Sequence, residues 1–266
     1  MKIWMLMENT AREPRFAAEH GLSLYIEACG KRILFDMGQS QAFAENAQKL
    51  GVDLAKVDFA VLSHGHYDHG GGLKCFLEIN DHAPVYLSRH AFGQHFNAKG
   101  KDIGLDPALQ DNPRLVFTGD FLSLDDHFEL SSMNEAETIL PIDSAGLTAH
   151  GLPETFRHEQ YLLIRENGLR VLISGCSHKG VCNLAHWFRP DVLIGGFHFK
   201  TLDPQGEGRE TLECAADFLR NLPAQYYTCH CTGTEQYEFM KQRMGDKLRY
   251  AACGDVIAIE GCVRTR

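Results

Sequence analysis

"VLSHGHYDHGGG", residues 61–72, sets His64, His66, Asp68 and His69 within six positions, straight after a run of apolar, β-favouring residues. Burying that much polarity without partners is costly, and an exposed loop has no use for it. Neutral imidazole and carboxylate are good ligands for divalent zinc, iron or manganese. The spacing therefore predicts a metal site where the strand at 57–63 ends. Other histidines have the same placement: His178 follows a strand ending at Ser174, His198 follows "DVLIGGF" (191–197) and His230 follows "QYYTC" (225–229). Strand C-terminal ends are where α/β proteins place their sites. His20, His82, His90, His95, His127, His150, His158 and His186 lack comparable neighbours in the sequence and read as ordinary histidines.

Outward from the motif, strand-like and helix-like pieces alternate. Residues 22–38 read as a hairpin around Gly30 and Lys31; 40–51 read as a helix capped by Ser40 and stopped by Gly51; 73–79 read as a short helix and 83–88 as a strand. A second hairpin, 159–174, turns at Asn167-Gly168, a strong hairpin signal. Helices at 182–188, 210–222 and 235–244 then alternate with strands at 191–197, 225–229 and 255–261. Between about 89 and 159 periodicity fades among Gly, Pro, Asp and Asn, which reads as irregular hairpins and a segment covering a cleft. The two ends share a pattern of hairpin followed by strand and helix. This predicts a single α/β domain over 1–266, with two β-rich halves packed face to face and helices outside.

Composition narrows the function. A formal charge of -9 without clustered Lys or Arg argues against a nucleic-acid surface, and no segment approaches a membrane span. Nine cysteines without paired CxxC units point away from a disulfide framework or zinc ribbon. The expected home is a reducing cytoplasm, and the expected partner a small-molecule substrate.

"SHGHYDH" (63–69) resembles the HxHxDH signature of the metallo-β-lactamase superfamily, "ILFDMG" (33–38) its early strand-plus-Asp motif, and "TCHCTG" (228–233) its late histidine motif. The resemblance implies an αββα sandwich of two packed mixed sheets with a two-metal site between them. "SGCSHKG", "IGGFHF" and "CHCTG" are more narrowly similar to the archaeal dihydropteroate-synthase-like branch. Those enzymes join a dihydropterin diphosphate to a ribofuranosyl-aminobenzene phosphate in methanopterin biosynthesis. By position, the resemblance implies that His64 and His66 hold one ion while Asp68 and His69 hold the second, completed by His230. His178, in the "GCSH" element, is the expected remaining ligand, in preference to His150 or His158. Cys176 is open between a ligand and a small buried thiol, His198 is a near-site candidate, and Asp36 is expected to support a ligand histidine. Met37 stands where Thr is usual.

Two divalent ions, zinc first and iron or manganese as alternatives, polarise a phosphoryl or carbonyl oxygen and generate hydroxide near neutral pH, with Asp68 orienting or accepting a proton. Lys179, Lys200 and Arg209 are candidates for phosphate binding, and Phe92, Phe96 and Phe156 for stacking on a ring. The expected activity is that of a metal-dependent hydrolase or transferase acting on a phosphorylated, ring-bearing small molecule. A phosphoester or ester hydrolase is the alternative. A non-haem iron redox protein is a further one, although the flavodiiron type carries glutamate where this chain has His66.

Overall fold

Ile33, Leu34 and Phe35 illustrate how the layers arise. Side chains alternate across a strand, so Ile33 and Phe35 enter one core while Leu34 enters another. Leu162-Leu163-Ile164, Val171-Leu172-Ile173 and Val192-Leu193-Ile194 do the same in the second half. Strands apolar on both faces need cover on both sides, and two sheets lined with helices provide it.

The computed structural model describes residues 1–261. The strands in chain order are β1 (Lys2–Met7), β2 (Ser23–Ala28), β3 (Lys31–Phe35), β4 (Phe59–Val61), β5 (Val85–Ser88), β6 (His95–Phe96), β7 (Leu115–Thr118), β8 (Phe121–Ser123) and β9 (Phe128–Ser131). They continue as β10 (Thr148–Ala149), β11 (Leu152–Pro153), β12 (Tyr161–Glu166), β13 (Leu169–Ile173), β14 (Val192–Gly195), β15 (Gln225–Thr228), β16 (Leu248–Tyr250) and β17 (Val256–Ala258). The helices are α1 (Ala42–Lys49), α2 (Tyr67–Gly70), α3 (Leu73–Ile79), α4 (Val181–Phe188), α5 (Arg209–Asn221) and α6 (Thr234–Met244).

One seven-stranded sheet runs β17-β1-β2-β3-β4-β5-β7, the other β16-β15-β14-β13-β12-β9-β8. Their facing sides share one core, from Ile3, Met5, Leu24, Phe35 and Val61 to Phe128, Leu162, Ile173 and Ile194. Phe43 and Ala47 of α1 and Leu73 and Phe76 of α3 pack on the outer face of the first sheet. Leu184, Leu212, Leu219 and Met240 of α4, α5 and α6 pack on the outer face of the second. This is the αββα sandwich, with mixed pairing in both sheets. No helix among the described residues is long and apolar enough to cross a membrane.

Local signals hold well. Asn167 and Gly168 both take positive φ, 52° and 77°, as a tight hairpin turn requires. The first hairpin turns one residue earlier than expected, at Cys29 and Gly30 (φ 49° and 73°), with Lys31 already in β3. The expected cap is displaced by one residue: Gln41 takes the N-cap position of α1 without a side-chain cap bond, and Ser40 Oγ, just outside the helix, accepts from the Ala42 amide at 3.1 Å.

The stretch from 89 to 159 is a correction. It is not only cover: β7 pairs in parallel with β5 at one sheet edge, and β8 and β9 extend the other sheet. Each is three or four residues long, too short to register as periodicity between turn-forming neighbours. The small β11-β10-β6 sheet forms the actual cover. The N-terminal strand β1 is a further addition to the expected elements; it pairs with both β2 and β17.

Candidate metal centre

β4 ends at Val61, and the chain passes Leu62 and Ser63 into the histidine loop, which closes as the single turn α2 carrying Asp68 and His69. Gly65 lets this loop lie against its neighbour: a Cβ there would fall 2.0 Å from the Ala91 carbonyl oxygen. Loops after β13, β14 and β15 bring His178, His198 and His230 to the same end of the sandwich.

Hydrogen bonds fix which nitrogen of each ring faces the site. Asp36 is fully buried; its Oδ2 accepts from Ser63 Oγ and from His69 Nδ1, each at 2.7 Å, and its Oδ1 accepts from the Ser63 amide. The Ser63 hydroxyl proton is thereby engaged, so its oxygen accepts from His64 Nδ1 at 2.8 Å. Asn9 Oδ1 accepts from His230 Nδ1 at 2.8 Å. His64 and His230 are therefore Nδ1–H tautomers with an Nε2 lone pair turned inward, the form a metal-binding imidazole needs, while His69 holds its Nδ1–H on Asp36 and presents Nε2 to the site.

Those inward atoms lack adequate partners. The Nε2 atoms of His64, His66 and His230 and both ring nitrogens of His178 are buried without a hydrogen bond. A buried polar group left unsatisfied costs about 1–3 kcal/mol, a heavy load on a fold whose net stability is roughly 5–15 kcal/mol. Cations in the site would remove that cost. Ligand atoms of His64, Cys176 and His178 lie within 4.8 Å of one another, as do those of His69, Cys176 and His230, and those of His20, Asp68 and His230. The His66 ring centroid is 4.6 Å from that of His64 and 5.1 Å from that of His178. The donor set is imidazole, carboxylate and thiol, which suits zinc and also iron or manganese.

Electrostatics divides the cluster. Burial pushes His66 down to about 3 and holds His64 and His178 well below the usual imidazole range, so these rings are neutral and ready to bind. Burial also pushes His69 down, but Asp36 and then Asp68 outweigh it and lift His69 to about 9. Burial alone would raise Asp68, but His69, His20 and His230 hold it well below the usual carboxylate range. An ion binding His69 must therefore displace a proton, and a falling pH strengthens that competitor. Calorimetric zinc titrations in buffers of different ionisation enthalpy should show about one proton released at pH 7 for the ion that engages His69. Its affinity should fall by up to about tenfold per pH unit as pH drops.

Asp36, His64, His66, Asp68, His69, Cys176, His178, His198 and His230 come together here, and several other expectations are corrected. Lys179 is not available to a substrate: it is buried, and its amine donates to the Ser132 carbonyl, Asn134 Oδ1 and the Glu159 carbonyl, with its pKa pushed by burial down to about 8. Histidines read as ordinary are drawn in. His20 Nε2 is 3.1 Å from Asp68 Oδ2, and ligand atoms of His95, His158, Glu154 and His66 form a buried group within 4.8 Å. Sequence neighbours could not reveal these, because β6 and the Glu154–His158 stretch reach the site only through the cover. Phe156 is fully buried and stacks on His178 at 4.3 Å, so it walls the site and faces no ligand. Phe92 packs on Phe117, and Arg209 pairs with Glu213 on α5. Lys200 is exposed and lines a cavity of about 380 Å³ together with His20, His198, Cys231, Asn97 and Lys99.

Asp36 holds His69 as anticipated, and the bond can be tested. Asp36→Asn keeps the side-chain volume but loses the charge and one acceptor. Metal affinity should fall about 10–100-fold, the usual cost of losing such a support, as measured by competition with a chromogenic chelator; unaltered affinity would refute the role.

Comparison with known proteins agrees with this geometry. The family model described as the metallo-beta-lactamase superfamily matches residues 18–177. An uncharacterized protein of Methanocaldococcus jannaschii is 28% identical over 280 residues, covering 97% of this chain and 100% of that one. The 7,8-dihydropterin-6-methyl-4-(beta-D-ribofuranosyl)-aminobenzene-5'-phosphate synthase of the same organism is 26% identical over 288 residues, covering 97% and 96%. A solved metal-dependent hydrolase of the beta-lactamase superfamily superposes with a TM-score of 0.78 at 26% identity, covering 98% and 99%.

Proposed function

Because the chain belongs to the metallo-beta-lactamase superfamily, we propose that it is a two-metal enzyme acting on a phosphorylated, ring-bearing small molecule, the leading reaction being displacement of diphosphate from a dihydropterin diphosphate by an arylamine ribose phosphate. The carrying observation is the group of buried, unpartnered imidazole nitrogens around Asp68. The full-length similarity to a pterin-related synthase supports the substrate class. A cavity of about 380 Å³ at the site is of small-ligand size, with Lys99 and Lys200 at its wall.

His64, His66 and His178 would hold one divalent ion; Asp68, His69 and His230 would hold the second. Two such ions supply Lewis acidity toward a phosphoryl oxygen. The chain's own groups do the rest. Asp36 and Ser63 orient the His69 and His64 rings before substrate arrives. Lys200 and Lys99 offer charge to substrate phosphates at the cavity wall. Asp68 Oδ2 is the anionic acceptor at the centre, able to take a proton from the attacking group. Phe156 and the β6–β10–β11 cover limit water on the His178 side.

The second reading, phosphoester hydrolysis, draws on the similarity to a metal-dependent hydrolase. One experiment separates them. Zinc-loaded protein incubated with a dihydropterin diphosphate should release diphosphate only when the arylamine acceptor is present, together with a coupled product. Phosphate release from simple diesters, with no coupling and no pterin binding in a calorimeter, would favour the hydrolase.

A further inference from the structure

Beside the histidine centre, the loops after β13, β14 and β15 bring together two thiols and an imidazole. Ligand atoms of Cys176, His198 and Cys231 lie within 4.8 Å of one another. Both cysteines are buried and neither is in a disulfide. His198 Nδ1 is buried with no hydrogen-bond partner.

The backbone is shaped around this group. A Cβ on Gly196 would fall 2.3 Å from Cys231 Sγ, so only glycine leaves room for the thiol. Ser177, His198 and His230, on the three loops involved, all take left-handed φ of 55°, 58° and 51°, an uncommon conformation for residues other than glycine. The loops are tied to each other: Phe197 N donates to Thr232 Oγ1 at 2.8 Å, and Lys200 N donates to the Cys231 carbonyl at 3.0 Å. Two thiols and an imidazole make the donor set of a zinc site of the Cys₂His type, which uses three protein ligands and keeps one position open. His198 and Cys231 also line the cavity of about 380 Å³, where such an open position would face.

We propose that Cys176, His198 and Cys231 form an additional, sulfur-rich cation site, abutting the histidine centre on its cavity side, that takes a thiophilic divalent ion such as zinc. The site rests on the two-metal reading above for its neighbours: Cys176 is shared with the histidine centre, grouping also with His64 and His178 and with His69 and His230, its Sγ 3.2 Å from His69 Nε2, whereas His198 and Cys231 belong to this site alone.

Cobalt is the probe, because a thiolate–cobalt bond gives a near-ultraviolet charge-transfer band that histidine ligation does not. The full chain should bind one more cobalt ion than Cys231→Ala or His198→Ala, and both variants should lose most of the band. Cys182→Ala, which removes a buried thiol on α4, should keep both the ion and the band. Cys231→Ser and far-ultraviolet circular dichroism of every variant guard against a folding artefact. Equal metal content in the wild type and Cys231→Ala, with the band absent or unchanged, overturns the site. So does a band that depends on Cys176 alone, since that sulfur would then serve the histidine centre. If instead His66→Ala and His69→Ala leave metal content intact while the Cys231-dependent band persists, the two-metal reading fails and this site stands.

Discussion

Replacing Asp68 with Asn is expected to lower turnover of the metal-loaded protein by at least about 10²-fold, the scale of a lost acid–base role. The geometry makes this residue the hub: its Oδ2 lies 3.1 Å from His20 Nε2, 3.3 Å from His230 Nε2 and 3.7 Å from His69 Nε2. No other carboxylate oxygen among the described residues meets three imidazoles of the cluster. Asn fills the same volume but is neutral and cannot accept a proton from an attacking group. The fold should suffer less. Because the folded pKa of Asp68 is depressed, its ionised form stabilises the metal-free protein above the unfolded carboxylate pKa, and that contribution fades as pH falls. Asn forfeits it at neutral pH, so thermal unfolding should be recorded beside the rate. A fully active Asp68→Asn protein would remove the residue from the mechanism.

Much of this candidate site was legible in the sequence because its potential donors sit directly after strands. His64 to His69, His178, His198 and His230 each follow an apolar run, and the repeated pattern of hairpin, strand and helix at both ends is what points to the sandwich. What stayed hidden arrives by tertiary routes. His20 reaches Asp68 from the stretch before β2, and Asn9 reaches His230 from the loop after β1, the strand missed beside the start of the chain. Cys231 was adjacent to a foreseen ligand, but its nearness to His198 depends on Gly196 and on two left-handed turns that no spacing rule encodes. Lys179 misled for the opposite reason. A lysine beside a ligand histidine looks like a phosphate contact, whereas here it ties the chain at Ser132 and Asn134 to the Glu159 backbone.

His178 and His158 are the two candidates for the last position in the first proposed ligand set, and hydrogen bonding separates them. Their rings lie at similar distances from that of His64, 4.9 Å and 5.7 Å between centroids, so proximity alone decides little. His158 Nδ1, however, accepts the Gly65 amide proton at 2.8 Å. A neutral ring that accepts at Nδ1 carries its proton on Nε2, and that protonated nitrogen faces the cluster as a donor. To bind an ion there, His158 would have to give up the Gly65 bond and move its proton to Nδ1, or lose that one ring proton altogether. His178 has no such commitment: both nitrogens are unpartnered, and Phe156 stacked on one face together with Glu159 accepting from its amide hold the residue in place. His178→Ala should therefore reduce zinc affinity by more than the 10–100-fold expected of an outer support, leaving one ion fewer per chain. His158→Ala should retain full metal content and instead alter the binding of substrate or of inorganic phosphate, where a buried N–H donor would be missed. Metal analysis of the two variants after identical dialysis is sufficient. Loss of zinc from His158→Ala with retention in His178→Ala would reverse the assignment and make the Gly65 contact a feature of the metal-free protein alone.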